Sequence, residues 1–221
     1  MLLLALDTST SAITVAVHDG REVLASGSML DARRHTEELA PLVEQVLASA
    51  GATPTELTDI AVGTGPGPFT GLRVGLVTAR VLGATLDLPV HGVCSLDALA
   101  HAVARRALVD EPFTVATDAR RKEVYWASYA APFDGAAPAL TSPDVCRPGD
   151  LDAAVRSRPT AGRGPVLFPE LFPLAIHVLD VNAEALADLA VRRLGAGAAM
   201  PAEALYLRRP DALTTAERAA R

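Results

Sequence analysis

Short apolar runs at the start of the chain predict the strands of one sheet. Residues 2–6 are continuously apolar, residues 12–17 alternate, and residues 21–28 form a third run after the turn signal Asp19-Gly20. Alternating side chains and a two-residue turn are typical of antiparallel strands. This part of the sequence therefore predicts a three-stranded meander.

Helices and strands alternate after the meander. The apolar spacing predicts helices over residues 39–50, 72–86 and 96–108, and short strands over residues 60–62 and 90–93. The order βββαβαβα favours a mixed sheet with helices packed on it.

The first two of these helices are more apolar than a surface helix requires. In residues 72–86 the only charges are Arg73 and Arg80, which share one narrow face, and small residues recur every fourth position. A helix that is apolar nearly all round needs cover on two sides, so its own sheet and a partner helix both remain open as neighbours of the small residues. The sequence predicts a partner interface at Leu39, Leu42, Val43, Val46, Leu72, Gly75, Leu76, Ala79, Arg80 and Gly83.

That interface hypothesis makes a mutational prediction. If Gly75, Ala79 and Gly83 line a close crossing with a partner helix, Ala79→Glu weakens partner binding and leaves the melting temperature of the isolated chain nearly unchanged. If they face their own sheet instead, the same substitution unfolds the chain.

A glycine- and proline-rich turn precedes the second helix. It invites comparison with a phosphate-binding loop, but no Gly-Lys-Ser/Thr follows, and Pro66 and Pro68 have no N–H to offer a phosphate. A structural role is favoured, in which the glycines adopt positive φ, the prolines stiffen the bend and Thr70 caps the helix. The predicted structural loop comprises Gly65, Pro66, Gly67, Thr70 and Gly71.

The pattern of short apolar strands joined by a turn partly repeats after Pro112. Residues 113–117 and 123–129 predict two strands joined by a turn, which echoes the first hairpin, while residues 132–173 are rich in proline and glycine. A last helix is predicted over residues 182–194. We therefore predict two related lobes, residues 1–110 and 111–221, of which the second is reduced.

Composition and charge limit the class of protein. Hydrophobic residues make up 50% of the 221 residues, which indicates a globular chain, and the net charge of −6 argues against a broad basic surface for nucleic acid. Cys94 and Cys146 lie far apart in the sequence, so neither a disulfide framework nor a metal site is indicated, and buried, unreactive thiols are expected. The apolar N-terminus meets Asp7 too early for a signal sequence or a membrane span, and a cytoplasmic location without membrane contact is expected.

Two β-rich openings that each end in an aspartate near a hairpin resemble the actin-like ATPase (ASKHA) fold. Further segments, in order along nearly the whole chain, resemble the TsaB family of tRNA threonylcarbamoyladenosine biosynthesis proteins. These segments are Leu6-Asp7-Thr8-Ser9, Arg34-His35-Thr36, the stretch Gly65 to Arg73, Asp118-Ala119-Arg120, Glu123-Val124-Tyr125 and Tyr206-Leu207-Arg208.

The resemblance implies a noncatalytic subunit that pairs with its paralogue TsaD, with a small ATPase, TsaE, joining them. The complex would transfer threonylcarbamoyl from an adenylate to N6 of adenosine 37 in tRNAs that read codons beginning with A. It further implies that this chain alone binds no cofactor, that ATP and metal belong to the partner subunits, and that tRNA is bound mainly through the complex. A homodimer of the isolated chain stays open.

The residues themselves assemble no catalytic set. Asp7 is a weak candidate for a magnesium or phosphate contact, but an aspartate at a strand end can simply close its own hairpin. Asp118 is followed by Ala119 and Arg120, where a nucleotide site would have glycine. We expect no catalytic residue here.

Two hydrolase classes and a metal site also lack support. Leu39 stands where a helical metal site that begins at His35 would need a second histidine, which removes the metalloprotease hypothesis. Ser9, Ser11 and Ser95 have no evident His-Asp partners for a serine hydrolase. No metal ligand is assigned.

Arg120, Arg121 and Lys122 form the one dense basic run, beside Tyr125 and Trp126. They are weak candidates for tRNA contact, because charged hairpin turns often serve solvation alone. Two hypotheses of different class remain: an assembly subunit, and a stand-alone actin-like kinase that phosphorylates a small molecule with ATP.

Overall fold

Two β-sheets form the framework of the chain. The computed structural model describes residues 1–30 and 35–208. The first sheet has the order β3-β2-β1-β4-β5, and the second has the order β8-β7-β6-β9. The strands are β1 (Leu3–Asp7), β2 (Ala12–His18), β3 (Val23–Leu30), β4 (Asp59–Gly63), β5 (Val90–Val93), β6 (Phe113–Asp118), β7 (Val124–Tyr129), β8 (Asp144–Cys146) and β9 (Thr160–Ala161).

Strand directions follow from the connections. The strands β1, β2 and β3 pair antiparallel through short turns, whereas β4 and β5 pair parallel because a helix precedes or joins each of them. The second sheet repeats this plan in shorter form, with β6 and β7 antiparallel and β9 parallel to β6. The predicted mixed sheets with an echoed hairpin are confirmed.

Helices cover both faces of the first sheet. The helices on the first sheet are α1 (His35–Ser49), α2 (Phe69–Leu86), α3 (Ser95–Arg105) and α6 (Ala183–Gly195), whereas the short helices α4 (Ala153–Arg156) and α5 (Gly164–Leu167) contact the second sheet. One core packs α1 and α2 on the outward-facing side chains of β1, β2 and β4, such as Leu4 and Ile60. The other packs α3 and α6 between the two sheets, against Leu3, Ala5 and Val115.

The predicted division near residue 110 falls between the two sheets. The packing of the chain nevertheless crosses it. Helix α6 belongs to the second half of the chain by sequence, yet it packs on β1 and β2 of the first sheet and on α3. Its start is well defined because the Asn182 side chain accepts hydrogen bonds from the backbone N–H groups of Glu184 and Ala185.

Several element ends differ from the sequence predictions. Strand β3 runs to Leu30, and α2 begins at Phe69, so Thr70 lies inside the helix and does not cap it; the flanking residue is Pro68, with no side-chain cap. Pro41 lies within α1, where it has no N–H to complete the helical bond to the carbonyl four residues earlier. The proline-rich stretch contains β8, β9 and two short helices that the periodicity did not reveal.

A segment near the end of the described chain closes one edge of the first sheet. We call residues 200–208 the C-terminal strap. The Gly92 N–H of β5 donates to the Met200 carbonyl over 2.9 Å, and Pro201 pairs antiparallel with His91. A Cβ at Gly92 would approach the Pro201 carbonyl to 2.3 Å, so the close contact requires glycine there.

Candidate functional site

Asp7 lies at the carboxyl end of β1 and is fully buried. One carboxylate oxygen accepts hydrogen bonds from the Ser9 N–H at 2.7 Å and the Ser9 hydroxyl at 2.8 Å. The other accepts from the Ser95 hydroxyl at 2.6 Å. Asp7 therefore joins its own hairpin to the start of α3, and its oxygens are occupied by the protein.

The glycine- and proline-rich turn folds back onto this buried aspartate. The Gly65 N–H donates to the Ser95 hydroxyl over 3.1 Å, and the Gly65 carbonyl accepts from the Ser95 N–H at 2.7 Å. The Gly67 carbonyl accepts from the Tyr125 hydroxyl at 3.3 Å, and a Cβ on Gly67 would approach the Ser9 carbonyl to 2.4 Å. These groups serve internal contacts, as the structural interpretation of the loop requires.

The hairpin between β6 and β7 places the second aspartate on the other side of a cleft. The Arg120 N–H donates to the Asp118 carboxylate over 2.7 Å, and the Arg120 guanidinium pairs with the same carboxylate at 2.9 Å. Arg163 pairs with Asp180 through two hydrogen bonds of 2.8 and 2.6 Å. The two arginines of the cleft are thus neutralised by carboxylates of the same chain.

Little space remains in this cleft between the sheets. The cavity that Ser9, Asp118, Arg120 and Asp180 help to line has a volume of about 20 Å³. A cavity of this volume holds about one water molecule. A nucleoside triphosphate would need both lobes to move apart.

The row of small residues in α2 faces the chain's own sheet, which corrects the predicted interface. A Cβ on Gly75 would approach the Thr8 hydroxyl to 2.6 Å, and one on Gly83 would approach a Val90 methyl to 2.4 Å. Ala79 lies between them and is 0% exposed. Thr8, directly after β1, and Val90 of β5 therefore pack tightly against this side of α2, and no partner helix can occupy it.

All but one of the other predicted interface residues of α1 and α2 are also buried in the chain's own core. Their side chains fill the core under the two helices and are buried: Leu39, Leu42, Val43, Val46, Leu72 and Leu76. Arg80 is exposed and donates a hydrogen bond of 2.6 Å to the Ala202 carbonyl of the C-terminal strap. The interface was therefore assigned to the wrong side of both helices.

The opposite side of α2 is exposed and apolar. Val77 and Val81 are each 57% exposed, and Phe69 at the start of the helix is 47% exposed. Arg73 and Ala84 complete this face at helical spacing. We call these five residues the outer face of α2. By length and composition α2 is also apolar enough to cross a membrane, a property that core helices share.

The remaining residues that the sequence analysis singled out are the two cysteines, the basic run and the segment around His35. Burial raises the pKa of the Cys94 thiol to about 12 and that of Cys146 to about 11, which keeps both thiols protonated near neutral pH. Arg120, Arg121 and Lys122 are exposed at the tip of the β6–β7 hairpin. Arg34 and the side chains of His35 and Thr36 lie outside the described residues. Within the described ranges, no group of three or more His, Cys, Asp or Glu side chains is arranged to hold a metal ion.

Comparisons with known proteins agree with this architecture. The family model described as TsaD, tRNA N6-adenosine threonylcarbamoyltransferase, matches residues 29–156. An uncharacterized protein of Mycobacterium tuberculosis is 37% identical over 95% of this chain and 93% of its own length. The TsaB protein of Escherichia coli is 37% identical over 58% of this chain, and the match spans 55% of that protein.

Similarity also extends to solved structures. YeaZ from Pseudomonas aeruginosa superposes with a TM-score of 0.78 at 33% identity, covering 93% of this chain and 99% of that one. An uncharacterized Mycobacterium leprae protein is 41% identical, but the match spans only 56% of its length. The agreement of topology, family model and near full-length relatives confirms the actin-like ATPase fold. The chain therefore belongs to the TsaB/YeaZ family.

Proposed function

We propose that this chain is a noncatalytic subunit of the complex that forms threonylcarbamoyladenosine in tRNA. The observation that carries the proposal is the exposed apolar outer face of α2, and the small volume of the cleft between the sheets supports it. An exposed apolar patch commonly marks a partner site, and a filled cleft is a poor site for a nucleotide.

In this proposal the partner is a TsaD-like catalytic subunit with the same fold, joined by a TsaE-like ATPase. A paralogue with two matching helices would pack α1 and α2 into a four-helix arrangement. The complex would act on N6 of adenosine 37 in tRNAs that read codons beginning with A, and ATP and metal would reside on the partners. We expect the complex to act in the cytoplasm.

Val77→Glu is expected to abolish most of the association with the TsaD-like subunit. A glutamate in the centre of an apolar interface places an unpaired charge there, which costs about 2–3 kcal/mol and weakens binding roughly 30- to 150-fold. The measurement is capture of the co-expressed TsaD-like subunit from the same genome, followed by size-exclusion chromatography and a binding titration.

Val166 provides a matched control for Val77. It is 58% exposed, in α5 of the second lobe, so Val166→Glu adds the same charge at the same exposure. It should leave both capture and tRNA modification unchanged. Full capture by the Val77 variant would contradict this use of the outer face, and self-association of the wild-type chain in place of capture would favour a homodimer.

The alternative function, a stand-alone small-molecule kinase, is tested by calorimetry with Mg-ATP. Because the cleft holds about 20 Å³ and its arginines are paired with carboxylates, we expect no binding heat from the isolated chain. Saturable binding with a micromolar dissociation constant would favour the kinase and count against a noncatalytic subunit.

A further inference from the structure

An exposed aromatic pair lies where α2 begins. The rings of Phe69 and Tyr206 are 5.2 Å apart between centroids, and both residues are 47% exposed. The Arg73 guanidinium lies 3.7 Å from the Phe69 ring centroid, and its Nε donates to the Tyr206 hydroxyl over 3.0 Å. The rings and the guanidinium hold one another in place, which leaves a preformed aromatic surface open to solvent.

The basic hairpin tip is held in an unusual backbone conformation. Arg120, Arg121 and Lys122 have φ values of 62°, 52° and 64°, so three successive residues with side chains adopt the left-handed region. Such conformations persist where surrounding contacts impose them, and they cluster at functional sites. Here they hold three cationic side chains at the surface, one of which, Lys122, has no ion-pair partner within the described residues.

The C-terminal strap joins the aromatic pair to the basic tip. Tyr206 contacts Arg73, and two residues later the Arg208 guanidinium donates to the Ala119 carbonyl over 2.9 Å and to the Glu123 carboxylate over 2.6 Å. Two residues of chain span roughly 7 Å. The strap therefore brings the two features close together, and we call Phe69, Arg73, Tyr206, Arg120, Arg121 and Lys122 the aromatic–basic surface.

We propose that the aromatic–basic surface binds unpaired nucleotides of an RNA. Exposed aromatic rings stack on bases, and neighbouring cations attract the phosphates. Arg120 and Arg208 are each paired with a carboxylate, of Asp118 and of Glu123, so Lys122 is the cation of the hairpin and the strap that can contact a phosphate without first breaking an ion pair within the described residues. The chain as a whole is acidic, and such a local contact is suited to a few nucleotides rather than to a duplex.

RNA explains this surface better than a second protein chain does. The outer face of α2 farther along the helix, around Val77 and Val81, is apolar and uncharged, as a protein interface core requires. The aromatic–basic surface instead combines flat rings with cations, the pairing that single-stranded RNA binds. The inference rests on the proposed function, in which the substrate is a tRNA.

Binding is tested with a fluorescent RNA hairpin that has an unpaired loop, titrated at low salt into the chain and into its complex with the TsaD-like subunit. Tyr206→Ala and Lys122→Glu should each weaken binding about tenfold, the effect of losing one stacked base or one phosphate contact. Tyr206→Phe keeps the ring and should restore binding. Arg21→Glu changes an exposed residue in the β2–β3 turn, at the far end of the first sheet from Asp7, and should have no effect.

The outcomes separate this inference from the proposed function. A blunt duplex that binds as tightly as the hairpin, or variants that bind like the wild type, would overturn the inference while capture of the TsaD-like subunit still stood. Loss of that capture by Tyr206→Ala with unchanged RNA binding would make the surface a protein contact and also overturn it. Conversely, RNA binding that depends on Tyr206 without any capture of the TsaD-like subunit would uphold this surface and refute the proposed partner.

Discussion

Ala79→Glu is expected to leave little folded protein. Ala79 has no exposed surface and lies in the core between α2 and the first sheet. A glutamate there adds volume to a packed site and brings a carboxylate into an apolar core. Overpacking costs about 1–3 kcal/mol and an unpaired buried charge costs several more, which together approach the 5–15 kcal/mol that stabilises a typical domain.

The measurement is thermal unfolding followed by circular dichroism, with size-exclusion chromatography to detect aggregates. Val77→Glu is the control, because it places the same residue on the exposed side of the same helix and should melt like the wild type. A cooperative melt of the Ala79 variant near the wild-type temperature would show that the small residues of α2 do not pack on the sheet.

Asp7→Ala is expected to lower stability strongly while sparing the chemistry of tRNA modification. The substitution removes the acceptor of three hydrogen bonds, from the Ser9 N–H and from the hydroxyls of Ser9 and Ser95. Buried donors left without partners, together with the cavity, cost on the order of 3 kcal/mol or more. Modification per folded molecule by the reconstituted complex should stay within a few-fold of normal.

Asp19 is the matched control for Asp7. Its carboxylate likewise accepts a backbone hydrogen bond from the residue two positions later, Arg21, over 2.7 Å, but in a solvent-exposed turn. Asp19→Ala should therefore change the free energy of unfolding much less. A loss of several orders of magnitude in modification by a folded, assembled Asp7 variant would assign this aspartate a chemical role instead.

The order of strands and helices along the first half of the chain could be predicted because their signals are local. Continuous apolar runs mark β1 and β4, and the Asp19-Gly20 turn marks the hairpin between β2 and β3. The orientation of α2 could not be predicted in the same way. Both of its faces are apolar, so its own sequence does not say which one meets the sheet, and a row of small residues suits a strand as well as a partner helix.

Contacts between residues that are far apart in the sequence could not be predicted either. Ser95 completes the environment of Asp7 from 88 positions away, and no motif around Ser95 indicates that role. The sequence of the C-terminal strap has neither helix nor strand periodicity. Its contacts to α2, β5 and the β6–β7 hairpin are single hydrogen bonds and ring contacts. The path of such a segment can be recognised only when the positions of the elements that it crosses are known.

The start of the strap constrains how copies of this fold can assemble. A sheet grows when an edge strand offers its N–H and carbonyl groups to another chain. At the β5 edge the outermost position beside His91 is Pro201, which has no N–H and cannot continue the ladder. Growth by strand addition is therefore blocked on that side. Association through a helix face can close on itself as a pair, whereas edge pairing would favour open-ended fibres.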